Sequence, residues 1–300
     1  MTAVDNLIAW LGQPGSDGPE AAVLGGKGAS LDRLGRLGFR VPPGFCLTTA
    51  AFKSQLAATV DAALGGPGAV DVAAVAQGLA RQPVEPGVRA ALNSALGRLV
   101  SEVGAAGFEP RFAVRSSAVG EDGSAASYAG LHETELGVAP EDVADAVRRC
   151  WASLWSPAAV AYRRRRDLSA ADAEMAVVVQ ALVPADAAAV VFTRHPVTGR
   201  DDQLVITAVR GLGDAMVSGT VTPDTYVVER SSRRVATFEP GEDPRGAALD
   251  DAALAALIAL SLDVEARFGE AVDIEAAIAG GTWYLLQARP ITTGAPVAAR

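Results

Sequence analysis

Apolar positions along this chain follow two rhythms. Through roughly the first 165 residues they recur at helical spacing, in Ala- and Leu-rich stretches interrupted by Gly and Pro. Past about residue 185 they come as short runs divided by Gly, Pro and Asp turns. The pattern predicts a short strand at Ala21–Leu24, then a helix opened by Gly-Gly-Lys-Gly and running to about Leu37. Pro42-Pro43-Gly44 breaks the chain before a second helix over Thr49–Leu64. After a Gly65–Gly68 loop, helices are predicted over Val70–Ala80 and Pro86–Val103, and a strand over Arg111–Arg115. Glu141–Leu154 and Pro157–Arg166 read as helices with acid or Pro in their first turns. Met175–Val183 is a continuous apolar run and reads as a buried strand. Strands follow at Val190–Thr193, Leu204–Val209, Thr225–Glu229 and Arg234–Phe238, then a long helix over Ala248–Phe268. A hairpin, Val272–Ala279 with Thr282–Arg289, turns around Gly280-Gly281. The class is α+β. The lobe boundary falls near Val183–Ala187, giving an N-terminal lobe of residues 1–184 and a C-terminal lobe of 185–300.

Composition excludes several classes of function. The 300 residues suffice for one large domain or two lobes with a buried core. A net charge of −9 and a pI near 4.8 argue against nucleic acid as a main partner. Cys46 and Cys150 are too few and too far apart for a disulfide framework or a zinc site, and fit a reducing, cytoplasmic setting. The first fifteen residues lack the basic start and long apolar centre of a signal peptide, and no stretch reaches about eighteen apolar residues.

The most informative segment is Arg111–Thr134. An apolar stub ends in Arg115, two serines follow, then a loop rich in Gly, Ser and Ala that ends near Gly130 and Thr134. Small residues admit an anion close to the backbone, and the arginine adds a planar cationic fork, a combination suited to a polyphosphate. The same letters also describe a strand with a surface loop, with Arg115 paired to Glu121 or Asp122. Lys27 stands in a glycine turn before a helix, which favours an anion, although a lysine so placed is commonly solvated and the turn is not a Walker A loop. Gln180 ends the run Met-Ala-Val-Val-Val-Gln, where an edge residue would also fit. Glu275 and Gln287 offer the oxygen donors that Mg²⁺ takes, and Arg289 shares a strand face with Gln287. Arg163–Arg166 reads as a solvated basic helix end.

Matching pieces recur in fixed order: GGKGASLDRLGRLGFRVPPGFCLTTAAF from Gly25, CWASLWSPAAVAYR from Cys150, VVFTRHPVTG from Val190, GLGDAMVSGTVTPDTYVV from Gly211 and DIEAAIAGGTWYLLQARPIT from Asp273. Together with the Arg115 segment they resemble the N-terminal nucleotide-binding domain of the phosphoenolpyruvate synthase and pyruvate phosphate dikinase family, with wording closest to rifampin phosphotransferases. The resemblance spans Gly25 to Thr292. It implies an ATP-grasp-type fold, two α+β lobes with MgATP in the cleft between them. It implies that Lys27, Arg115, Gly130, Thr134, Gln180, Glu275, Gln287 and Arg289 contact ATP, that Arg115 and Arg289 act on the phosphates, and that Glu275 and Gln287 hold Mg²⁺. Gln180 would serve the adenine or ribose side, beside Ala181 where the family often has a polar residue.

Hairpin register bears on the metal ligands. A two-residue Gly280-Gly281 turn pairs Glu275 with Leu286 and turns it away. An odd loop, Ala279-Gly280-Gly281, pairs it with Leu285 and gathers Glu275, Gln287 and Arg289 on one face. The implied ligand set decides for the odd loop. The resemblance further implies transfer of a phosphoryl group from ATP to a histidine on a separate swivelling domain or subunit, with AMP and phosphate as products and pyruvate, a rifampin-like molecule or another compound as final acceptor. His132 and His195 do not match that acceptor histidine. A self-contained ATP-grasp ligase releasing ADP and a non-catalytic nucleotide sensor are the alternatives.

Overall fold

A computed structural model of the chain describes residues 6–13, 18–64, 72–105, 107, 109–120, 134–165 and 173–291. The elements in chain order are β1 (Ile8–Trp10), α1 (Ala21–Arg36), β2 (Gly44–Leu47), α2 (Thr49–Leu64), α3 (Val72–Arg81), α4 (Pro86–Ala105), β3 (Phe112–Ala118) and β4 (Thr134–Val138). A 3₁₀ turn, Pro140–Asp142, leads into α5 (Val143–Ser153) and α6 (Pro157–Arg165), then β5 (Met175–Ala181), β6 (Ala187–Phe192) and β7 (Gln203–Arg210). The remainder is α7 (Asp214–Val217), β8 (Asp224–Glu229), β9 (Arg234–Glu239), α8 (Asp251–Phe268), β10 (Val272–Ala279) and β11 (Thr282–Pro290). The chain divides into two compact units: Met1–Arg36 with Pro43–Leu182, and Leu37–Pro42 with Val183–Arg300.

The first unit is built on an antiparallel sheet of order β1-β2-β5-β3-β4. Strand alternation sends Phe45, Leu47, Phe112, Val114, Val177 and Val179 into a core shared with Phe52, Leu79, Leu92, Leu99 and Trp151 of α2 to α5. On the other face, Cys46 and Ser117 lie against α1. Covered on both faces, β5 is buried from Met175 to Gln180, which is why it reads as an unbroken apolar run.

Ala21–Leu24 is helical, not a strand. Short apolar runs carry no decisive period, and two alanines and a leucine favour helix. The following Gly25 interrupts α1 at φ 67°, ψ 178°, so the turn bearing Lys27 starts afresh after it. An added Cβ at Gly25 would lie 2.0 Å from the Ser117 carbonyl oxygen, so close approach and backbone angle both require glycine.

In the second unit the antiparallel order is β11-β10-β6-β7-β8-β9. Helix α8 begins with the Asp250 carboxylate accepting from Ala253 N at 2.7 Å, ends at Gly269 in the left-handed region, and buries Leu254, Leu257, Ile258, Val264 and Phe268. Trp283 of β11 donates to the Ala253 carbonyl at 3.2 Å, which places α8 on the face carrying Trp283 and its partner Ile278.

Candidate functional site

The site residues expected from the sequence fall into two groups, one in each unit. In the first, Arg115 pairs with Thr134 on β4 and Val178 on β5, while Gln180 pairs with Ala113. Residues opposite each other across a ladder, or two apart along a strand, share a face. Arg115, Thr134, Gln180 and Ser117 therefore share the face that α1 covers. Arg115 is 9 % exposed and Gln180 2 %, whereas Thr134 is exposed. Gly130 and His132 lie outside the described residues, as do Glu121, Asp122 and Arg166.

Lys27 is half-buried in the turn that restarts α1. Ser117 fixes this turn. Its hydroxyl donates to the Leu24 carbonyl at 2.7 Å and accepts from Gly28 N at 3.0 Å, joining the end of one helical piece to the start of the next. Cys46 lies beneath, its sulfur within 3.6 Å of the Leu24 carbonyl, and burial pushes its thiol far above the ordinary range. It packs as an inert apolar group. In the sequence, Ser117 is marked only by its place two residues after Arg115.

The second group lies on the β10–β11 hairpin. The odd loop expected there is wrong. Ala279 pairs with Thr282 across a two-residue turn, with Gly280 and Gly281 at φ 53° and 73°, as a tight hairpin turn demands. The parity is corrected further along. A bulge at Leu286 breaks the register between Glu275 and Ala276, so Ala276 faces Leu285 but Glu275 faces Gln287 and Asp273 faces Arg289. Glu275, Gln287 and Arg289 thus share a face by a route that hydrophobic alternation does not reveal.

Asp273 joins them and was missed, although the alternation Val-Asp-Ile-Glu put it two residues before Glu275. Arg289 holds it through Nε and Nη2 at 2.8 and 2.7 Å. Burial pushes the Asp273 carboxyl above its ordinary range, opposed by the Arg289 charge and reinforced by the nearby Glu275. Gln287 is 4 % exposed. Among the described residues no three His, Cys, Asp or Glu side chains gather as a self-sufficient metal cage. Two carboxylates and an amide oxygen on one face fit Mg²⁺, which takes one or two protein carboxylates and completes its shell with phosphate oxygens and water.

The family described as pyruvate phosphate dikinase, AMP/ATP-binding domain, matches residues 21–246. A rifampicin phosphotransferase of Streptomyces sviceus is 37 % identical over 94 % of this chain and 35 % of its own length. A probable phosphoenolpyruvate synthase of Methanothermobacter thermautotrophicus is 34 % identical over 95 % of this chain and 46 % of its own. The prodigiosin synthesizing transferase PigC of Serratia marcescens is 36 % identical over 91 % of this chain and 32 % of its own. The chain thus spans less than half the length of each of these relatives. The profile match, extending over most of the chain and including the turn that bears Lys27 and the strand that bears Arg115, makes this protein a member of the pyruvate phosphate dikinase AMP/ATP-binding domain family.

Proposed function

We propose that the chain is the MgATP-binding component of a dikinase-type phosphotransferase with the ATP-grasp arrangement. Lys27 and Arg115 supply positive charge to the triphosphate, Gly130 and Thr134 add short-range contacts, and Gln180 meets the adenine or ribose. Glu275 and Gln287 hold Mg²⁺, with Asp273 beside them. Arg289, oriented by Asp273, meets the phosphoryl group being transferred. When bound, Mg²⁺ neutralises charge on the phosphate oxygens. The β-phosphoryl group passes to a histidine on a separate swivelling domain or subunit, its bond to AMP breaking, while water takes the γ-phosphoryl group and leaves as phosphate. The acceptor that follows is pyruvate, a rifampin-like compound or another molecule bound elsewhere. Buried Cys46 and Cys150, neither in a disulfide, agree with a cytoplasmic setting.

The observation that carries this reading is the hairpin face. In a chain of an ATP-binding family, two carboxylates, an amide and an arginine meet on adjacent strands. Arg115→Ala should lose a charge-assisted contact worth about 1.5–3 kcal/mol, raising the Kd for MgATP roughly ten- to a hundredfold in calorimetry. Wild-type affinity in that variant would remove Arg115 from the site. Incubation with β- and γ-labelled ATP and a candidate histidine domain tests the reaction. β-label on the histidine domain with AMP as product supports it. Release of ADP with a carboxylate substrate would favour a ligase, and stable label on His132 would move the acceptor into this chain.

A further inference from the structure

The VVFTRHPVTG motif is not used by the site described above, yet its threonine is bonded to the start of the strand that carries two of the site's carboxylates. Thr193 follows β6 directly and is fully buried. Its backbone N–H donates to the Val272 carbonyl at 3.0 Å, and its hydroxyl oxygen accepts from Val272 N at 2.9 Å. Val272 is the first residue of β10, and Asp273 follows it. The Thr193 hydroxyl in turn donates to Glu265 Oε1 at 2.9 Å. Glu265 lies in the last turn of α8 and is gripped by Arg230, Nη1 to Oε2 at 2.5 Å and Nη2 to Oε1 at 3.1 Å. Arg230 also donates to the backbone carbonyls of Asp201, at 2.6 Å, and Thr193.

These contacts converge on the Glu265 carboxylate, which accepts from Arg230 on one side and from the Thr193 hydroxyl on the other, while that hydroxyl accepts from Val272 N. The two-pronged guanidinium fixes the carboxylate, the carboxylate fixes the rotation of the hydroxyl, and the hydroxyl presents its lone pair to Val272 N. A strand whose side chains alternate faces is sensitive to such an anchor, because a slip of one residue would carry Asp273 and Glu275 to the α8 face. β10 needs an end stop more than most strands, since its other neighbour, β11, already carries a bulge opposite Glu275.

We propose that Thr193 and Glu265, clamped by Arg230, are positioning residues that fix the start of β10 and thereby hold Glu275 where it meets Mg²⁺ and Asp273 where it orients Arg289. The inference rests on the MgATP reading. Residues that orient metal ligands from behind commonly change metal affinity by about ten- to a hundredfold when removed.

The test uses the whole chain and four proteins: wild type, Thr193→Val, Thr193→Ser and Glu265→Gln. Calorimetry gives ATP affinity with and without Mg²⁺, and hydrogen exchange reads amides 270–276 without any nucleotide. The expected result for Thr193→Val is faster exchange at Val272 and about a tenfold smaller gain in ATP affinity on adding Mg²⁺, with metal-free affinity nearly unchanged. Thr193→Ser should restore both, and Glu265→Gln should fall between. An unchanged Mg²⁺ gain in Thr193→Val overturns the inference while leaving the functional reading in place, and so does an equal loss with and without Mg²⁺. Absence of MgATP binding by the wild-type chain overturns both. Should Thr193→Val fail to fold, Glu265→Gln decides by the same two readouts.

Discussion

At the scale of single residues, Ser117 joins two helical fragments through one oxygen atom. Removing its hydroxyl leaves the Leu24 carbonyl and Gly28 N–H, both in a buried setting, without that partner. Ser117→Ala should therefore cost about 1–3 kcal/mol, read as a lower urea midpoint at constant m-value. Gly25→Ala should cost more, because the methyl must displace the Ser117 carbonyl and the backbone must keep a positive φ. A Gly25→Ala protein as stable as wild type would show that α1 tolerates a different path over the sheet. In both variants Lys27 loses its fixed starting turn, so ATP affinity should fall alongside stability.

At the scale of elements, the β10–β11 hairpin separates two ways of reaching one arrangement. Its turn is regular and its bulge restores the face. Deleting Leu286 places Gln287 next to Leu285, so ordinary alternation then sets Gln287 opposite Glu275 and Arg289 opposite Asp273. The shortened hairpin should bind MgATP within about a factor of five of wild type, the equivalent of roughly 1 kcal/mol. Loss of Mg²⁺-dependent binding in a folded deletion variant would mean that the bulge does more than correct parity. The same hairpin shows what sequence patterning can and cannot give. Its two strands were legible because long runs flank Gly-Gly, whereas the two-residue turn was misjudged as an odd loop and a bulge leaves no trace in apolar spacing. The long helices and β5 were legible for the same reason of length. The strands β1, β2 and β4, of three, four and five residues, were not foreseen, because runs so short carry no reliable period. Arg115 stood out by its chemistry. Asp273 did not, because its partner Arg289 lies sixteen residues away and only the register brings them together.

At the scale of the whole molecule, the division into two units is not a single cut. Leu37–Pro42 interrupts the first unit between α1 and β2 yet belongs to the second. It is tied there by Leu285 N donating to the Arg40 carbonyl at 2.9 Å and by Arg267 Nη1 donating to the Leu37 carbonyl at 2.8 Å. The Arg40 guanidinium lies over Tyr284 and that of Arg267 over Phe39. Residues 183–300 expressed alone should therefore be less stable than the same unit within the whole chain. Adding a peptide of residues 35–44 should raise the melting temperature of that fragment in a concentration-dependent way. A fragment that melts as high as the unit does in the intact chain, and ignores the peptide, would show that the segment contributes nothing. Among the described residues no helix is long and apolar enough to cross a membrane.

That six-residue segment also limits how such a domain can be inherited in parts. Exchanging everything after residue 182 with a relative, in one recombination event, gives the recipient a foreign hairpin while its own Leu37–Pro42 stays behind to meet it. The incoming Tyr284 and Leu285 counterparts would have to suit an Arg40 they never accompanied. Chimeras joined at one point should accordingly be less stable than chimeras that carry residues 37–42 along with the second half.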